Sequence, residues 1–138
     1  MAAGPESVVR DFVAAFAACD ADAMGALVDD DVVAHITNAE GGADIIEGRG
    51  ALLARIGAVD YGAARLSIEV TNTIEPKPGQ ALAMAEVRAS APSGDTLHNF
   101  AAHLCTVSDG RIIEWWMVEA LPAESDRFWA AVTSGGTS

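Results

Sequence analysis

The stretch that decides the fold is Gln80–Glu119, QALAMAEVRASAPSGDTLHNFAAHLCTVSDGRIIEWWMVE. The turn chemistry of Pro92-Ser93-Gly94-Asp95 and Ser108-Asp109-Gly110 cuts it into three runs, Gln80–Ala91, Thr96–Val107 and Arg111–Glu119. In the first run Ala81, Ala83, Ala85, Val87 and Ala89 alternate with Leu82, Met84, Glu86 and Arg88, the period of two that belongs to a strand. Immediately upstream, from Arg65, the residues Leu66, Ile68, Val70, Asn72 and Ile74 alternate with Ser67, Glu69, Thr71 and Thr73 in the same way. A meander of four long strands is predicted.

Ahead of this meander the period is close to 3.6. Val9, Phe12, Val13 and Phe16 lie on one stripe, with Pro5 at a favoured first-turn position, so a helix is expected from about Pro5 to Ala18. Asp20 can cap a second short helix carrying Met24, Leu27 and Val28, which Asp29-Asp30-Asp31 should end. A strand from Val32 to Thr37 comes next, then a glycine-rich loop over Asn38–Ile46. A third helix should follow Gly48-Arg49-Gly50, on Leu52, Leu53 and Ile56, and close near Gly57. A last helix is expected over Ala123–Val132, and a small, polar, mobile tail from Thr133. Helices followed by a strand meander predict an α+β domain with helices packed on an antiparallel sheet.

With 138 residues, about half of them hydrophobic, the chain suits a single domain over 1–138 that buries about two thirds of its unfolded surface. Its 8 basic and 20 acidic residues leave a formal charge of -12, which phosphate backbones and anionic lipid surfaces would repel. Neither nucleic acid nor membrane is an expected partner. There is no basic segment followed by an apolar run at the start and no run of eighteen apolar residues, so a cytoplasmic location is expected. Cys19 and Cys105 stand in apolar surroundings without CxxC spacing, and read as two buried thiols in a reducing compartment. His35, His98 and His103 lie on different elements without HxH or HxxxH spacing, and no GxGxxG, phosphate-binding loop or Gly-x-Ser-x-Gly is present. No metal, cofactor or serine nucleophile is therefore expected.

Hairpin arithmetic places the polar residues. A two-residue turn at Ser93-Gly94 would pair Pro92 with Asp95, setting Arg88 opposite Asn99, Glu86 opposite Ala101 and Met84 opposite His103. A three-residue loop Ser108-Asp109-Gly110 would set His103 opposite Trp115, Ala101 opposite Met117 and Asn99 opposite Glu119. One face would then carry Met84, Glu86, Arg88, Asn99, His103, Trp115, Met117 and Glu119. The other would carry Ala83, Ala85, Val87, Phe100, Ala102, Trp116 and Val118. Taken alone, the strand from Gln80 also admits the opposite reading, with its alanines in the core and Glu86 and Arg88 in water.

The order of elements, Glu47-Gly48-Arg49 at the start of the third helix and Ser108–Trp115 (SDGRIIEW) resemble the nuclear transport factor 2-like superfamily, particularly its SnoaL-like cyclases and limonene epoxide hydrolases. The resemblance covers nearly the whole chain. It implies a cone-shaped domain whose strongly curved sheet wraps on N-terminal helices around a cavity, with Glu86 and His103 inside. It also implies a homodimer through the convex sheet face. The epoxide hydrolases use an arginine between two aspartates, at positions matching Met84, Glu86 and Met117, and SnoaL-like cyclases use an aspartate at about Met117. Of these groups only Glu86 keeps a charge here.

On this arrangement Glu86 is the expected catalytic carboxylate, its pKa raised by Met84, Ala101 and Met117, and His103 is its expected partner in proton transfer. Met84, Arg88, Asn99, Trp115, Met117 and Glu119 are expected to bind substrate, with Arg88, Asn99 and Glu119 in one row across three strands. Glu40 and Asp44 could cap the third helix or guard the cavity mouth. Two functions follow. One is a cofactor-free acid-base enzyme (isomerase, cyclase, dehydratase or epoxide hydrolase-like) acting on a small, largely apolar metabolite. The alternative is a non-catalytic binding protein for a hydrophobic small molecule.

Overall fold

Pro5 opens helix α1 (Pro5–Ala17), where a missing N–H costs nothing, and Val8, Val9, Phe12 and Val13 form its buried stripe. The computed structural model describes residues 4–135. Cys19 stands in the left-handed conformation (φ 56°) just past α1, where the N–H of Asp20 returns to the carbonyl of Ala15. That turn leaves Cys19 exposed, against the expectation of a buried thiol, while Cys105 is buried. The side chain of Asp20 then accepts from the N–H of Ala23 and caps α2 (Ala21–Ala26).

Strand β1 (Val28–Thr37) starts four residues earlier than expected, so the three aspartates lie within it rather than ending a helix. Leu27 has already joined the sheet there, its carbonyl accepting the N–H of Ile112 at 2.8 Å. The glycine-rich segment is only partly loop. Asn38 Oδ1 gathers the N–H groups of Glu40 and Gly42 into a turn, and β2 (Ala43–Glu47) folds back on β1 as a short edge strand. Helix α3 (Arg49–Gly57) and a single 3₁₀ turn (Tyr61–Ala63) lead into the meander β3 (Arg65–Ile74), β4 (Gln80–Ser90), β5 (Thr96–Ser108) and β6 (Arg111–Glu119). Helix α4 (Pro122–Gly135) closes the described chain, so Thr133–Gly135, expected to be mobile, are helical. Residues 136–138 of the expected tail lie outside the described residues.

The six strands make one sheet in the order β2-β1-β6-β5-β4-β3. It is mixed rather than wholly antiparallel, because β1 runs parallel to β6. Register shifts in the β1–β6, β3–β4 and β5–β6 pairs are the irregularities by which a sheet bends around a core. The concave face receives α1, with Ala81, Ala83 and Cys105 leaving room for Phe12 to meet Trp115 edge-on at 5.1 Å. Phe128, Trp129 and Val132 of α4 pack with Ala89 and Leu97 at the other end of the sheet.

Both hairpin loops differ from their expected lengths. The β4–β5 loop has three residues, Pro92-Ser93-Gly94, closed by the N–H of Ala91 on the carbonyl of Asp95 at 2.8 Å, with Gly94 at φ 96°. A two-residue turn would need Pro92 to donate an N–H that it does not have. The β5–β6 turn has two residues, Asp109 (φ 53°) and Gly110 (φ 77°), the positive-φ pair of a primed turn. The first change moves β4 by one residue relative to β5, so Glu86 pairs with Phe100 and Arg88 with His98. The second change is offset by a bulge at Ile113, between the pairs Thr106–Glu114 and Val107–Ile112, which restores the inward set of β6.

Candidate functional site

The sheet therefore divides its polar residues differently from the expected constellation. Asn99, His103, Trp115, Met117 and Glu119 share the concave side, as expected, but the pairs are shifted by two residues, with His103 opposite Met117 rather than Trp115 and Ala101 opposite Glu119 rather than Met117. Met84, Glu86 and Arg88 face the other way, and Ala83, Ala85 and Val87 take the concave positions instead. A slip of one residue exchanges the two faces of a strand, which is the whole cause of this correction.

On the convex side Glu86 accepts from His98 Nε2 at 2.6 Å and from Arg88 Nη2 at 2.7 Å. The His98 hydrogen bond, then the Arg88 charge, hold its carboxyl below the ordinary value, opposite to the rise expected for a pocket acid. Glu86→Gln is thus expected to leave ligand affinity and turnover in the cavity within about twofold, by titration and steady-state kinetics, as for a distant surface change. The expected Arg88–Asn99–Glu119 row is also absent. Asn99 is buried and its Oδ1 accepts the N–H groups of Phe100 (2.9 Å) and Leu121 (3.0 Å), tying the end of β6 to β5.

The concave side encloses a cavity with an outer part of about 260 Å³ and a narrow inner end of about 60 Å³. Phe16, Tyr61, Trp115, Met117, Glu119 and Trp129 line both parts, so the two adjoin. The inner end is walled by Phe12, Val13, Leu66, Ile68 and Val87, and His103 joins Tyr61, Glu119 and Ser125 as a polar group of its lining. Trp115 Nε1–H donates to His103 Nδ1 at 3.1 Å. An indole only donates, so Nδ1 is the bare nitrogen and the proton of the neutral ring is assigned to Nε2. Burial pushes the His103 pKa down to about 4, which keeps the ring neutral at physiological pH. No buried side-chain nitrogen or oxygen among the described residues lacks a partner, so Nε2–H, which has none in the protein, reaches the cavity.

Glu119 is the carboxylate that lines both parts of this cavity. Removal from water raises its pKa, the charge of Asp126 adds to the rise, and the Ser125 hydroxyl, donating to Oε1 at 2.9 Å, partly opposes it. Tyr61 stands at the same wall between Phe16 and Trp129, with ring centroids 5.0 and 4.7 Å away. Burial first, and the Glu119 charge second, push its phenol up to about 12, so it stays protonated and able to donate. At the mouth Asp44 accepts from Asn38 Nδ2 at 3.1 Å and pairs with Arg55 Nη1 at 3.0 Å, and these hold its carboxyl low. Glu40 lines the same mouth.

Sequence reasoning did not place Tyr61, Phe16, Ser125 and Trp129 at the cavity, which they line together with Glu119. Tyr61 carried a signal, as the one tyrosine of the chain, set between a helix and the first strand of the meander. Ser125 and Trp129 carried none, because their helix reaches the cavity only through tertiary packing.

A cavity of this kind, between a bent sheet and its helices, places the chain in the cone-shaped α+β class. The chain belongs to the SnoaL-like domain family, whose model matches residues 9–115. No curated protein sequence matches it. Among solved structures it is similar to Bal32a from a soil-derived mobile gene cassette (TM-score 0.76, 20% identity, covering 91% of this chain and 95% of that one). It is also similar to an NTF2-like protein of unknown function from Burkholderia pseudomallei (0.73, 19%, 94% and 99%). A third is RV0760c from Mycobacterium tuberculosis in complex with estradiol-17beta-hemisuccinate (0.69, 19%, 83% and 93%). These likenesses establish the cone fold that the sequence predicted. Among the described residues no helix is long and apolar enough to cross a membrane.

Proposed function

We propose that this SnoaL-like domain is a cofactor-free acid-base enzyme that moves a proton next to the carbonyl group of a small hydrophobic compound. The observation that carries this reading is the pairing, on the mostly apolar inner part of one cavity, of a partly desolvated carboxylate, Glu119, with a buried neutral His103 whose Nε2–H is uncommitted. Two groups with opposite proton roles are what such chemistry needs. Glu119 takes the proton from the carbon beside the carbonyl, and the electron pair moves onto the carbonyl oxygen. His103 Nε2–H and the Tyr61 hydroxyl donate to that oxygen as its charge grows. Returning the proton to another carbon completes an isomerisation. Alternatively, the enolate carbon attacks a second carbonyl carbon of the same molecule, whose C=O π pair moves to oxygen and takes the proton back from Glu119, closing a ring.

The resembling cyclases place their aspartate at the position of Met117. Glu119 is the next residue of β6 facing the same way, about 7 Å further along the strand, and in this reading it takes the acid's part. The steroid ester in complex with RV0760c supports a hydrophobic ring compound as the ligand class. The test is hydrogen exchange in heavy water, followed by NMR over a panel of cyclic ketones and enones. Exchange that disappears in Glu119→Gln supports the reading, and binding without exchange returns the protein to the ligand-carrier class.

The same reading includes a homodimer through the convex face, where Met84 (42% exposed), Phe100 (48%), Trp116 (40%) and Val118 (51%) form an apolar surface. His35 stacks flat on Trp116 at 3.6 Å and is held by Glu114, which stiffens that patch. Trp116→Lys should give monomers or aggregates in sedimentation, and an unchanged dimer would show the surface to be wrong. A reducing cytoplasm is the setting assumed, since Cys19 and Cys105 are both free thiols.

A further inference from the structure

The mouth of the cavity is charged in one sense. Glu40, Asp44, Glu119 and Asp126 line its outer part, and among the described residues the single basic one there is Arg55. Arg55 is engaged with Asp44 at 3.0 Å, so no described cation of the wall faces Glu40, Glu119 and Asp126. The first turn of α4 also borders the mouth through Pro122 and Ser125. A helix start supplies about half a positive charge, too little to offset the acids. The inner end is mostly apolar, and there the unpartnered Nε2–H of His103, on a buried side chain, asks for an oxygen acceptor.

From this asymmetry we propose that the ligand carries its oxygen at the inner end and a protonated amine at the mouth, and that carboxylates of the same skeleton are rejected. The proposal rests on the cavity being the functional site, and adds the charge class of what enters it. A protonated nitrogen gains attraction from Glu40 and Asp126 without giving up its contact with water, because both side chains are exposed. A carboxylate would add a like charge beside Glu119, which is already poorly solvated. A metal ion is not the occupant implied, since no three of His, Cys, Asp and Glu among the described residues come together as a metal-holding group.

The test uses three tetralones that differ only in one ring substituent: an aminomethyl group, a methyl ester or a carboxylate. Binding to the full chain is read by calorimetry and by the fluorescence of the cavity tryptophans. The amine should bind about tenfold or more tighter than the acid at low salt, with the ester between them. The gap should shrink in 1 M salt, about threefold in Debye length, and in the double variant Glu40→Gln with Asp126→Asn. Equal affinities, or a preference for the acid, overturn the charge selection and leave the cavity standing as the binding site. Failure of all three compounds to bind overturns the selection and the proposed function together.

Discussion

Replacing Glu119 by glutamine should lower turnover by about two to four orders of magnitude while KM changes little, because it removes the proton acceptor and keeps the shape. Ser125 can still donate to the amide oxygen, so the loop between β6 and α4 has no cause to move. In the unaltered protein the rate should rise with pH through the Glu119 pKa, since only the carboxylate accepts a proton. That rise should fall above the ordinary glutamate range, because burial raises the folded-state value. Stability should move the other way. As pH climbs past the unfolded-state pKa the unfolded chain ionises first, so the wild type loses stability until the folded-state pKa is passed. Glu119→Gln has no such loss, and its Tm at neutral pH should equal or exceed the wild type's. Normal turnover in the variant would remove Glu119 from the mechanism.

The second large effect is acid sensitivity through His103. Its pKa drops from 6.5 in the unfolded chain to about 4 in the fold. As pH falls below 6.5 the unfolded state therefore binds the proton first, and stability is lost progressively down to about pH 4. At about 1.4 kcal/mol for each tenfold difference in proton affinity, the loss attributable to this one ring approaches about 3 kcal/mol. Urea unfolding at about pH 7 and about pH 4.5 measures it, on either side of most of that titration. His103→Gln should be less stable than wild type at neutral pH, having disturbed the hydrogen bond from Trp115 Nε1, yet should lose less between the two pH values. An identical loss in the variant would assign acid sensitivity to the carboxylates instead.

Much of the architecture was legible from local pattern. The α1 stripe, the Asp20 cap, the start of α3 after Gly48 and the four meander strands all follow from periods and turn residues. The short edge strand β2 and the parallel pairing of β1 with β6 were not, because neither has a local signature: β2 sits among glycines, and parallel neighbours meet only through the rest of the fold. The candidate site was legible in part. On β5 and β6 the inward set Asn99, His103, Trp115, Met117 and Glu119 was grouped as expected, since the shorter turn at Asp109-Gly110 and the bulge at Ile113 together leave its faces unchanged.

The sequence by itself determined that β4 has an alanine side and a Met84-Glu86-Arg88 side, since alternation is a property of the strand. Which side meets the cavity was decided by one residue of loop length. Pro92 cannot close a two-residue turn, Gly94 takes a third loop position, and the shift carries Glu86 out to His98 while the alanines turn in toward α1. The surroundings of Glu119 were decided more remotely still. A glutamate at the end of a strand has nothing local to change its chemistry. Glu119 loses its water because α4 folds back to place Ser125 and Trp129 against it, and because Tyr61, 58 positions earlier in the chain, stands on the same wall. Desolvation depends on everything that surrounds a group in space, and only the tertiary structure brings those surroundings together.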